Sequence, residues 1–310
     1  MKKIVIFGGG TGLSAVLSGL KLFPMDVTAV ITVSDDGSST GVLKEELDIP
    51  AVGDLGKVLL SMANVDDDFI DLLGYRFQSE GSLHNHPVRN ILLAALIDLK
   101  GDLTSASKYM CRLLQVRGTV LPLSEEKVEL IGHGKREDYI GEVEVSGHIR
   151  DIDYLSYDHP ITVRPEIVDR IREADLIIFS PGSLYTSIIP HLISPTIIAE
   201  LEKSPAPIMY LSNLVSQPGE TDGYSVSDHV AVLNRYLGSR HVDVVVANNG
   251  GVEDNVAGAY RGESKTIVEL DMEDNVIADD LIVIDESGSI RHDTLKTAYL
   301  GVSYLMRQPE

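Results

Sequence analysis

The amino-acid sequence is short of cysteine, tryptophan and long apolar runs. Its one cysteine, Cys111, cannot form an intrachain disulfide or a cage of thiolates around zinc, so the sequence favours a reducing, cytoplasmic setting. No stretch approaches the roughly 18 apolar residues of a membrane-spanning helix. The apolar run near the N-terminus stops at Gly8 and is too short for the core of a signal peptide. We therefore expect a cytoplasmic protein with no transmembrane segment.

Positive charge is also scarce. The 310 residues include 26 Lys and Arg against 47 Asp and Glu, which gives a formal charge of −21 at pH 7. Nucleic-acid-binding proteins present basic faces to the phosphate backbone, so this balance argues against a nucleic-acid partner. The hydrophobic share of 44% and the charged share of 24% are those of an ordinary globular chain and exclude disorder.

Short runs of β-branched and apolar residues recur without alternating polar positions. They span residues 3–7, 27–33, 175–179, 208–211 and 242–247. Such runs are typical of strands buried on both faces of a parallel sheet. Apolar residues with helical spacing follow at 13–20 and recur at 226–237, behind a capping box of Ser225 and Asp228 and before a terminating Gly238. The pattern predicts an α/β, Rossmann-like, doubly wound fold with a mainly parallel sheet and helices on both faces.

Helical and mixed patterns fill two longer regions. Residues 54–116 are predicted to be helical, and the segment 90–99 is apolar nearly all round, which places it inside the domain. The last region predicts two short strands at 281–284 and 289–291. A helix is expected to begin near Asp293.

The region 118–158 has a different character. Short alternating runs at 127–131 and 142–145 are separated by glycine-rich turns, which indicates antiparallel strands. We expect one nucleotide-binding domain over residues 1–310, with an antiparallel β flap inserted at 118–158. The sequence leaves open whether this flap is a lid or a contact in a homodimer.

The first predicted strand ends in a glycine-rich loop that leads into a helix. The loop consists of Gly8, Gly9, Gly10, Thr11 and Gly12. Two of these glycines begin a dinucleotide-binding fingerprint, but Leu13 stands where its third small residue belongs. Glycine lets the backbone approach a phosphate, and amides at a helix N-terminus favour an anion. We therefore expect this loop to bind phosphate, with a tight strand-to-helix turn as the alternative.

Polar side chains follow the other predicted strands. Ser183 and Asn213 come after the third and fourth strands, where their side chains would meet hydroxyl groups of a ligand. Asp35 and Asp36 come after the second strand. For this pair three interpretations stay open: an acid that binds a ribose, ligands for Mg²⁺, or a solvated turn.

Three further sites carry polar side chains of interest. Asn90 lies in an otherwise apolar helical stretch, where a buried amide needs either backbone capping or a ligand contact. Arg291, at a strand-to-helix junction, has a fork that suits a diphosphate, and an exposed ion pair is the alternative. His84 and His86 have no Cys or carboxylate at ligand spacing, so we interpret them as a helix entry rather than a metal site.

Five motifs, in order along the chain, resemble those of the gluconeogenesis factors of bacteria, which are relatives of 2-phospho-L-lactate transferase. The motifs are GGGTG at 8–12, DDGSS at 35–39, PGSLYTS at 181–187, GETDGY at 219–224 with DH at 228–229, and IRHD at 290–293. The resemblance extends over essentially the whole chain. It implies a Rossmann-like fold and a cytoplasmic protein needed for cell shape and envelope synthesis during gluconeogenic growth. It also implies binding of UDP-sugars such as UDP-N-acetylglucosamine or UDP-glucose.

Three functions are compatible with this resemblance. In the first, which we expect, the protein is a non-catalytic regulator that binds a nucleotide sugar and acts on a protein target that the sequence does not identify. Loop 10–12 would hold phosphate, Ser183 and Asn213 would hold hydroxyl groups, and Arg291 would neutralise the diphosphate. The second is a Mg²⁺-dependent transferase whose metal ligands are Asp35 or Asp36, and the third is NAD binding without redox chemistry. The candidate ligand contacts are Gly8, Gly9, Gly10, Thr11, Gly12, Asp36, Asn90, Ser183, Asn213 and Arg291.

The sequence departs from the family pattern at three motifs. Where the family usually has Asp-Asp-Gly-Gly-Ser-Ser-Gly-Arg, this chain lacks the second glycine and ends in Val42. The family's Pro-Gly-Asp-x-Arg-Asn ends here in Gly56 and Lys57. Its Gly-His-x-x-Gly-Asn has Asn85 and Arg89 at the two glycine positions. The resemblance therefore implies that two positive side chains able to meet phosphate are missing or replaced.

Overall fold

A seven-stranded parallel sheet forms the centre of the computed structural model, which describes residues 1–308 apart from the side chain of Ser38. The strands in chain order are β1 (Lys3–Gly8), β2 (Asp26–Ile31), β3 (Thr119–Pro122), β4 (Leu130–Gly134), β5 (Asp138–Ile140), β6 (Ile152–Tyr157), β7 (Leu176–Phe179), β8 (Ile208–Leu211), β9 (Val244–Asn248), β10 (Val276–Asp279), β11 (Ile282–Ile284) and β12 (Ile290–His292). The large sheet has the order β10-β9-β8-β7-β1-β2-β3, and all its neighbouring pairs are parallel. The winding reverses between β1 and β7, which is the switch point of a doubly wound fold. The predicted fold class is confirmed.

Helices cover both faces of this sheet. They are α1 (Gly10–Leu20), α2 (Ser38–Leu47), α3 (Gly53–Ser61), α4 (Asp67–Gly74), α5 (Val88–Lys100), α6 (Leu103–Leu113), α7 (Glu142–Gly147), α8 (Pro165–Arg172), α9 (Ile189–Leu192), α10 (Pro195–Lys203), α11 (Val226–Tyr236), α12 (Asp254–Gly262) and α13 (Thr294–Arg307). Along β1, Ile4 and Ile6 pack into one hydrophobic cluster, and Val5 and Phe7 pack into a second. Because successive side chains point to opposite faces, a strand covered on both faces is apolar throughout.

The five apolar runs of the sequence form β1, β2, β7, β8 and β9, whereas the edge strands β3 and β10 were not predicted. Each edge strand has four residues, and only one of its long sides is paired. The capping box before α11 is confirmed, because Ser225 N donates to Asp228 Oδ2 at 3.0 Å and Asp228 N donates to Ser225 Oγ at 3.3 Å. Gly238 then turns the chain with a φ of +63°.

The segment 118–158 contains a small antiparallel sheet with the order β5-β4-β6, so the predicted antiparallel insertion is present. Its limits differ from the prediction, because β3 pairs in parallel with β2 and belongs to the large sheet. The predicted strand at 142–145 is wrong, since these residues begin α7. Gly141, with a φ of +93°, turns the chain into this helix, and Asp36 Oδ1 accepts a hydrogen bond from Val143 N at 3.2 Å. The local sequence pattern shows neither the conformation of Gly141 nor the contact with the distant loop at Asp36, so it could not predict the helix.

The region 54–116 is mostly helical, as predicted, and contains α3 to α6. Helix α5 is not fully enclosed. Leu93 and Ile97 are buried, whereas the side of α5 that carries Ala95, Asp98 and Leu99 is exposed, with Leu99 75% accessible. The two C-terminal strands and the helix after Asp293 are confirmed as β11, β12 and α13. Within residues 1–308, no helix is both long and apolar enough to cross a membrane.

Candidate functional site

The glycine loop connects β1 to α1 at the switch point of the sheet. Gly9 is the N-cap of α1 in an extended conformation, and Gly10 adopts a φ of +62°, which favours glycine. In the described part of the chain, no side chain caps this helix. The first amides of an α-helix have no partner within the helix, and the helix dipole adds a partial positive charge there. The N-terminus of α1 therefore offers donors to an anion.

A cavity of about 510 Å³ opens at this helix N-terminus. It combines the ends of β1, β7 and β8 with residues of the C-terminal hairpin. The lining residues are Gly9, Gly10, Thr11, Gly12, Ala15, Pro181, Gly182, Ser183, Ser187, Asn213, Leu214, Val215, Ser216, Gln217, Lys265, Ile290, Arg291 and His292. We call this cavity the switch-point crevice. It brings together seven of the ten predicted ligand contacts, all except Gly8, Asp36 and Asn90.

Gly8 lies behind the switch-point crevice. A Cβ at Gly8 would lie 2.0 Å from Ser180 Oγ, and the Gly8 carbonyl lies 3.3 Å from Nε2 of the buried His191. Gly12 is similarly tight, because a Cβ there would lie 2.2 Å from the Pro181 carbonyl oxygen. These two glycines allow the loop and α1 to approach β7 and the turn that follows it.

Asn213 joins two of the loops that form the crevice. Its Nδ2 donates to the Gly182 carbonyl at 2.7 Å, and its Oδ1 accepts from Gly182 N at 3.1 Å. The Tyr210 hydroxyl lies 3.3 Å from the same Oδ1. The amide of Asn213 therefore fixes the loop after β7 against the loop after β8. This positioning role was not part of the sequence prediction.

Ser183 is held by a buried acid that the sequence analysis named only as part of a motif. Its hydroxyl donates to Glu220 Oε1 at 2.5 Å, and the same carboxyl oxygen accepts from Tyr185 N at 2.7 Å. Glu220 is only 3% exposed, and this burial raises its pKa to about 7. The Glu220 side chain thus connects the GETDGY segment to the loop after β7.

Two cationic side chains line the switch-point crevice. The predicted contact Arg291 has a half-exposed side chain, and its Nε lies 3.0 Å from Asp285 Oδ2. Lys265, which was not predicted, has its Nζ 2.8 Å from Glu263 Oε2. Both cations are therefore paired at the surface. Pairs of this kind contribute about 0 to 1 kcal/mol and open readily for a stronger anion.

A second cavity of about 270 Å³ lies where α2, α3 and α5 meet the loop before α5. It contains Asn90, which was predicted as a ligand contact together with the glycine loop, and Asp35, which was predicted as one of two candidate Mg²⁺ ligands. Its lining residues are Asp35, Gly37, Ser39, Thr40, Gly53, Lys57, Arg76, Asn85, Arg89 and Asn90. We call it the cationic cavity, because three positive side chains line it. None of these three was predicted to belong to a site.

The cationic cavity contains an arginine that the sequence comparison of motifs did not assign to a site. The chain has Gly56 on α3 and Arg89 on α5. A Cβ at Gly56 would lie 3.2 Å from Arg89 Cδ, so the glycine on α3 leaves room for an arginine that α5 supplies. Asn85 has a φ of +59°, a conformation that asparagine tolerates better than most residues. It therefore forms the turn before α5 without a glycine.

Acidic side chains lie between the two cavities. Asp54 on α3 pairs with Lys57 at 2.9 Å, and its Oδ2 lies 2.6 Å from where a Cβ on Gly9 would stand. Burial and the charge of Asp54 raise the pKa of Asp35. Burial, together with the charges of Asp35 and Asp54, raises the pKa of Glu142 to about 8. Groups with strongly shifted pKa values are concentrated at functional sites, although ion networks also produce them.

Asp35 and Asp36 face in different directions. Asp35 Oδ1 accepts from Gly37 N at 2.9 Å beside the cationic cavity, whereas Asp36 Oδ1 accepts from Val143 N of α7. Among the side chains of residues 1–308 that the structure describes, no three His, Cys, Asp or Glu converge as metal ligands. The prediction of Mg²⁺ at this aspartate pair stays a prediction. His86, interpreted as a helix entry, is buried directly before α5.

Comparisons with known proteins agree with this architecture. The family model described as 2-phospho-L-lactate transferase CofD matches residues 4–287. The gluconeogenesis factor of Bacillus subtilis (strain 168) is 42% identical, and the alignment covers 98% of each chain. That of Halalkalibacterium halodurans is 37% identical, with 96% of this chain and 94% of the relative covered. A 2.60 Å crystal structure of a UPF0052-family protein from Bacillus halodurans matches with a TM-score of 0.91 at 34% identity, over 97% of this chain and 99% of that one. This chain therefore belongs to the 2-phospho-L-lactate transferase CofD family, together with relatives named gluconeogenesis factors.

Proposed function

We propose that this protein is a regulatory factor that binds a nucleotide sugar in the switch-point crevice. The ligand class is a UDP-sugar, with UDP-N-acetylglucosamine and UDP-glucose as the first candidates. The observation that carries the proposal is the N-terminus of α1, which has no side-chain cap in the described chain and opens into the crevice. A helix N-terminus of this kind favours an anion, and a phosphate group of a nucleotide is such an anion. The name of its relatives, gluconeogenesis factor, supports a role in growth on gluconeogenic carbon.

The remaining walls of the crevice suit the other parts of such a ligand. Arg291 and Lys265 line the same crevice as the glycine loop and supply positive charge for the diphosphate. The hydroxyl of Ser183 and the backbone of the segment 213–217 supply hydrogen-bonding groups for ribose or sugar hydroxyls. In the cell, we propose that the bound state acts on a protein target and supports cell shape and envelope synthesis.

The test is isothermal titration against UDP-N-acetylglucosamine, UDP-glucose, GDP and NAD, each with and without Mg²⁺. We expect binding that prefers UDP-sugars. Arg291→Ala should weaken it by about 1 kcal/mol, or roughly fivefold, because a charged hydrogen bond is discounted here for the exposure of the guanidinium and its Asp285 partner. Asp285→Asn keeps the turn's acceptor oxygen but releases Arg291, so it should strengthen binding slightly.

The outcomes separate the candidate ligands. Preference for UDP-sugars with opposite effects of the two variants would support the proposal. Preference for NAD would replace the nucleotide sugar with a dinucleotide in the same crevice. No binding of any nucleotide to the folded protein would refute the proposal.

A second candidate function is a Mg²⁺-dependent transferase. The observation that favours it is the group of acids between the two cavities, since Asp35 and Asp54 would stand between a nucleotide in the crevice and a second ligand. Mg²⁺ is commonly bound by one or two carboxylates with water and phosphate oxygens, so these residues fit the ion. When bound, the ion would neutralise charge on a departing nucleotide. Metal-dependent turnover of a nucleotide diphosphate donor that is lost in Asp35→Asn would establish this function, and absence of turnover with ligand still bound would oppose it.

A further inference from the structure

The cationic cavity is lined by a cluster of positive side chains, although the protein as a whole is strongly acidic. The whole chain carries a formal charge of −21, yet Lys57, Arg76 and Arg89 line one small cavity. Like charges in proximity repel, and fixing three cations in one place costs free energy unless an anion compensates them. The anions that the protein itself supplies there are few. Asp35 lines the cavity, and Asp54 lies behind it in a pair with Lys57.

Arg89 is the central group of this cavity. It is only 8% exposed, and its buried Nε has no hydrogen-bond partner within the described residues. Burial and the nearby charge of Arg76 lower the pKa of Arg89 to about 10, so the guanidinium remains positive at neutral pH. A buried guanidinium normally has its donors satisfied by a carboxylate, a carbonyl or a ligand. The unpartnered donor therefore indicates that part of the site is not supplied by the protein.

Asn90 and Arg76 line the cavity beside Arg89. Asn90 is 2% exposed, and its buried Oδ1 also has no partner within residues 1–308. Arg76 donates from Nη1 to the Asn85 carbonyl at 2.7 Å, which fixes its position at the mouth of the cavity. Gly56 keeps the space beside Arg89 open, as described above. Side chains from α3, α5 and the preceding loop thus converge on one point.

We propose that the cationic cavity binds the phosphoryl group of a small phosphorylated molecule, as a site separate from the switch-point crevice. Two guanidinium forks and one ammonium group match the oxygens and the two negative charges of a phosphoryl group. The volume of about 270 Å³ lies below that of pockets for drug-sized ligands, so the ligand is small. Asp54 lies next to both cavities, so the phosphorylated molecule would bind beside the nucleotide but in a separate site.

Inorganic phosphate is the probe for the test. Binding is followed by ³¹P NMR titration of the full chain at constant ionic strength, with chloride as the balancing anion and acetate as a parallel ligand. We expect saturable phosphate binding, and Arg89→Gln and Arg76→Gln should each weaken it about tenfold or more, the range of a charged hydrogen bond. Arg89→Lys, which keeps the charge without the fork, should bind more tightly than Arg89→Gln.

Two matched controls locate the effect. Arg136→Gln removes the same charge from an exposed position in the antiparallel sheet region and should leave phosphate affinity unchanged. The second control repeats the titration with the switch-point crevice occupied by UDP-N-acetylglucosamine, and the phosphate binding that depends on Arg89 should remain. If Arg89→Gln does not fold, the partly buried Arg76→Gln decides the outcome. Because UDP-N-acetylglucosamine is titrated separately into each variant, failure of this proposal is distinct from failure of the proposed function.

Three results would overturn the inference. The first is no phosphate binding to the folded wild-type protein. The second is phosphate binding that Arg291→Ala or UDP-N-acetylglucosamine abolishes and that Arg89→Gln and Arg76→Gln leave intact, since this would place phosphate in the switch-point crevice. The third is acetate binding as tightly as phosphate, which would contradict the phosphoryl assignment.

Discussion

Glu142 lies in an environment that disfavours its ionised form, and the substitution Glu142→Gln tests whether this costs stability. Its carboxyl group is mostly buried at the start of α7 and lies near Asp35 and Asp54, with a hydrogen bond to Thr186 as its compensation. Burial and the two aspartates raise the pKa of Glu142 to about 8. Glutamine has the same shape and keeps a hydrogen bond to Thr186, but it carries no charge. We therefore expect Glu142→Gln to stabilise the folded protein.

The magnitude follows from the pKa shift. In the unfolded chain the carboxyl group of Glu142 has a pKa near 4.5. At pH 7 this group is ionised in the unfolded chain and protonated in the folded protein, so folding must bind a proton at a pH roughly 2.5 units above the unfolded pKa. Each unit corresponds to about 1.4 kcal/mol, which gives about 3.5 kcal/mol as an upper value. Partial contact with solvent reduces this figure, so the expected gain in the free energy of unfolding is about 1 to 3 kcal/mol.

The sign of the pH dependence is fixed by the same shift. A pKa that is higher in the folded state contributes stability below the unfolded pKa, and this contribution is lost as pH rises toward about 8. The glutamine variant does not titrate at this position. The advantage of Glu142→Gln over the wild type should therefore be small near pH 4.5, grow through pH 7 and level off above pH 8.

Urea unfolding between pH 5 and 8.5 measures this difference. The matched control is Glu144→Gln, which removes the same charge from an exposed position on the same helix and should change stability by less than about 0.5 kcal/mol. A difference for Glu142→Gln that stays constant with pH would refute the reasoning. Destabilisation at pH 8 would refute it as well, because it would mean that the ionised carboxylate is stabilised in the folded protein.

Two further predictions concern packing and acid stability. Gly12→Ala should destabilise the protein by about 1 to 3 kcal/mol and weaken nucleotide binding, because the new Cβ would overlap the Pro181 carbonyl oxygen. Gly258→Ala places its Cβ in open space on α12 and should instead stabilise the protein by about 0.5 to 1 kcal/mol. Thermal melts and nucleotide titrations of the two variants check this pair, and equal effects would contradict it. Burial lowers the pKa of His191 to about 3 and that of His292 to about 4, so protonation favours the unfolded chain as pH falls below about 6.5. Unfolding free energy should drop by about 2 kcal/mol per histidine by pH 5, and His191→Gln should flatten the measured profile, whereas an unchanged slope would contradict the assignment.

The fold was predictable where the signal is local. The strands β1, β2, β7, β8 and β9 are apolar throughout because both faces of the sheet are covered, and this produces a continuous run in the sequence. The edge strands β3 and β10 have four residues each and lack such a run. Helix α7 was predicted as a strand because alternation over four residues does not distinguish the two. The positive φ of Gly141 and the contact with Asp36 decide its conformation.

The two cavities also differ in how far local sequence could predict them. The switch-point crevice was largely predictable, because its glycine loop is continuous in sequence and parallel strands place their ends at one edge of the sheet. The cationic cavity is formed by Arg76, Arg89 and Lys57, which lie on three separate segments. In the sequence Arg89 looks like an ordinary helical residue, and only the packing of α3 against α5 shows that it lies inside the cavity. Asn90 showed the weak signal that was available, an amide within an apolar helix.

The roles of the crevice residues also needed the structure. Asn213 and Ser183 were predicted to contact a ligand, and both lie in the crevice. Their side chains are already engaged, Asn213 with Gly182 and Ser183 with Glu220. These hydrogen bonds hold the loops after β7 and β8 in position before any ligand arrives. A sequence shows which groups can form hydrogen bonds, but not which partners they have.

The central claim is that a nucleoside diphosphate binds at the N-terminus of α1, and a crystal structure with UDP-N-acetylglucosamine tests it most directly. We expect diphosphate oxygens within hydrogen-bonding distance of the amides of residues 10–12, with Arg291 turned from Asp285 toward the ligand. The cationic cavity should remain free of the nucleotide. Diphosphate bound against Arg89 instead, or a nucleotide away from the glycine loop, would show that the crevice is not the nucleotide site.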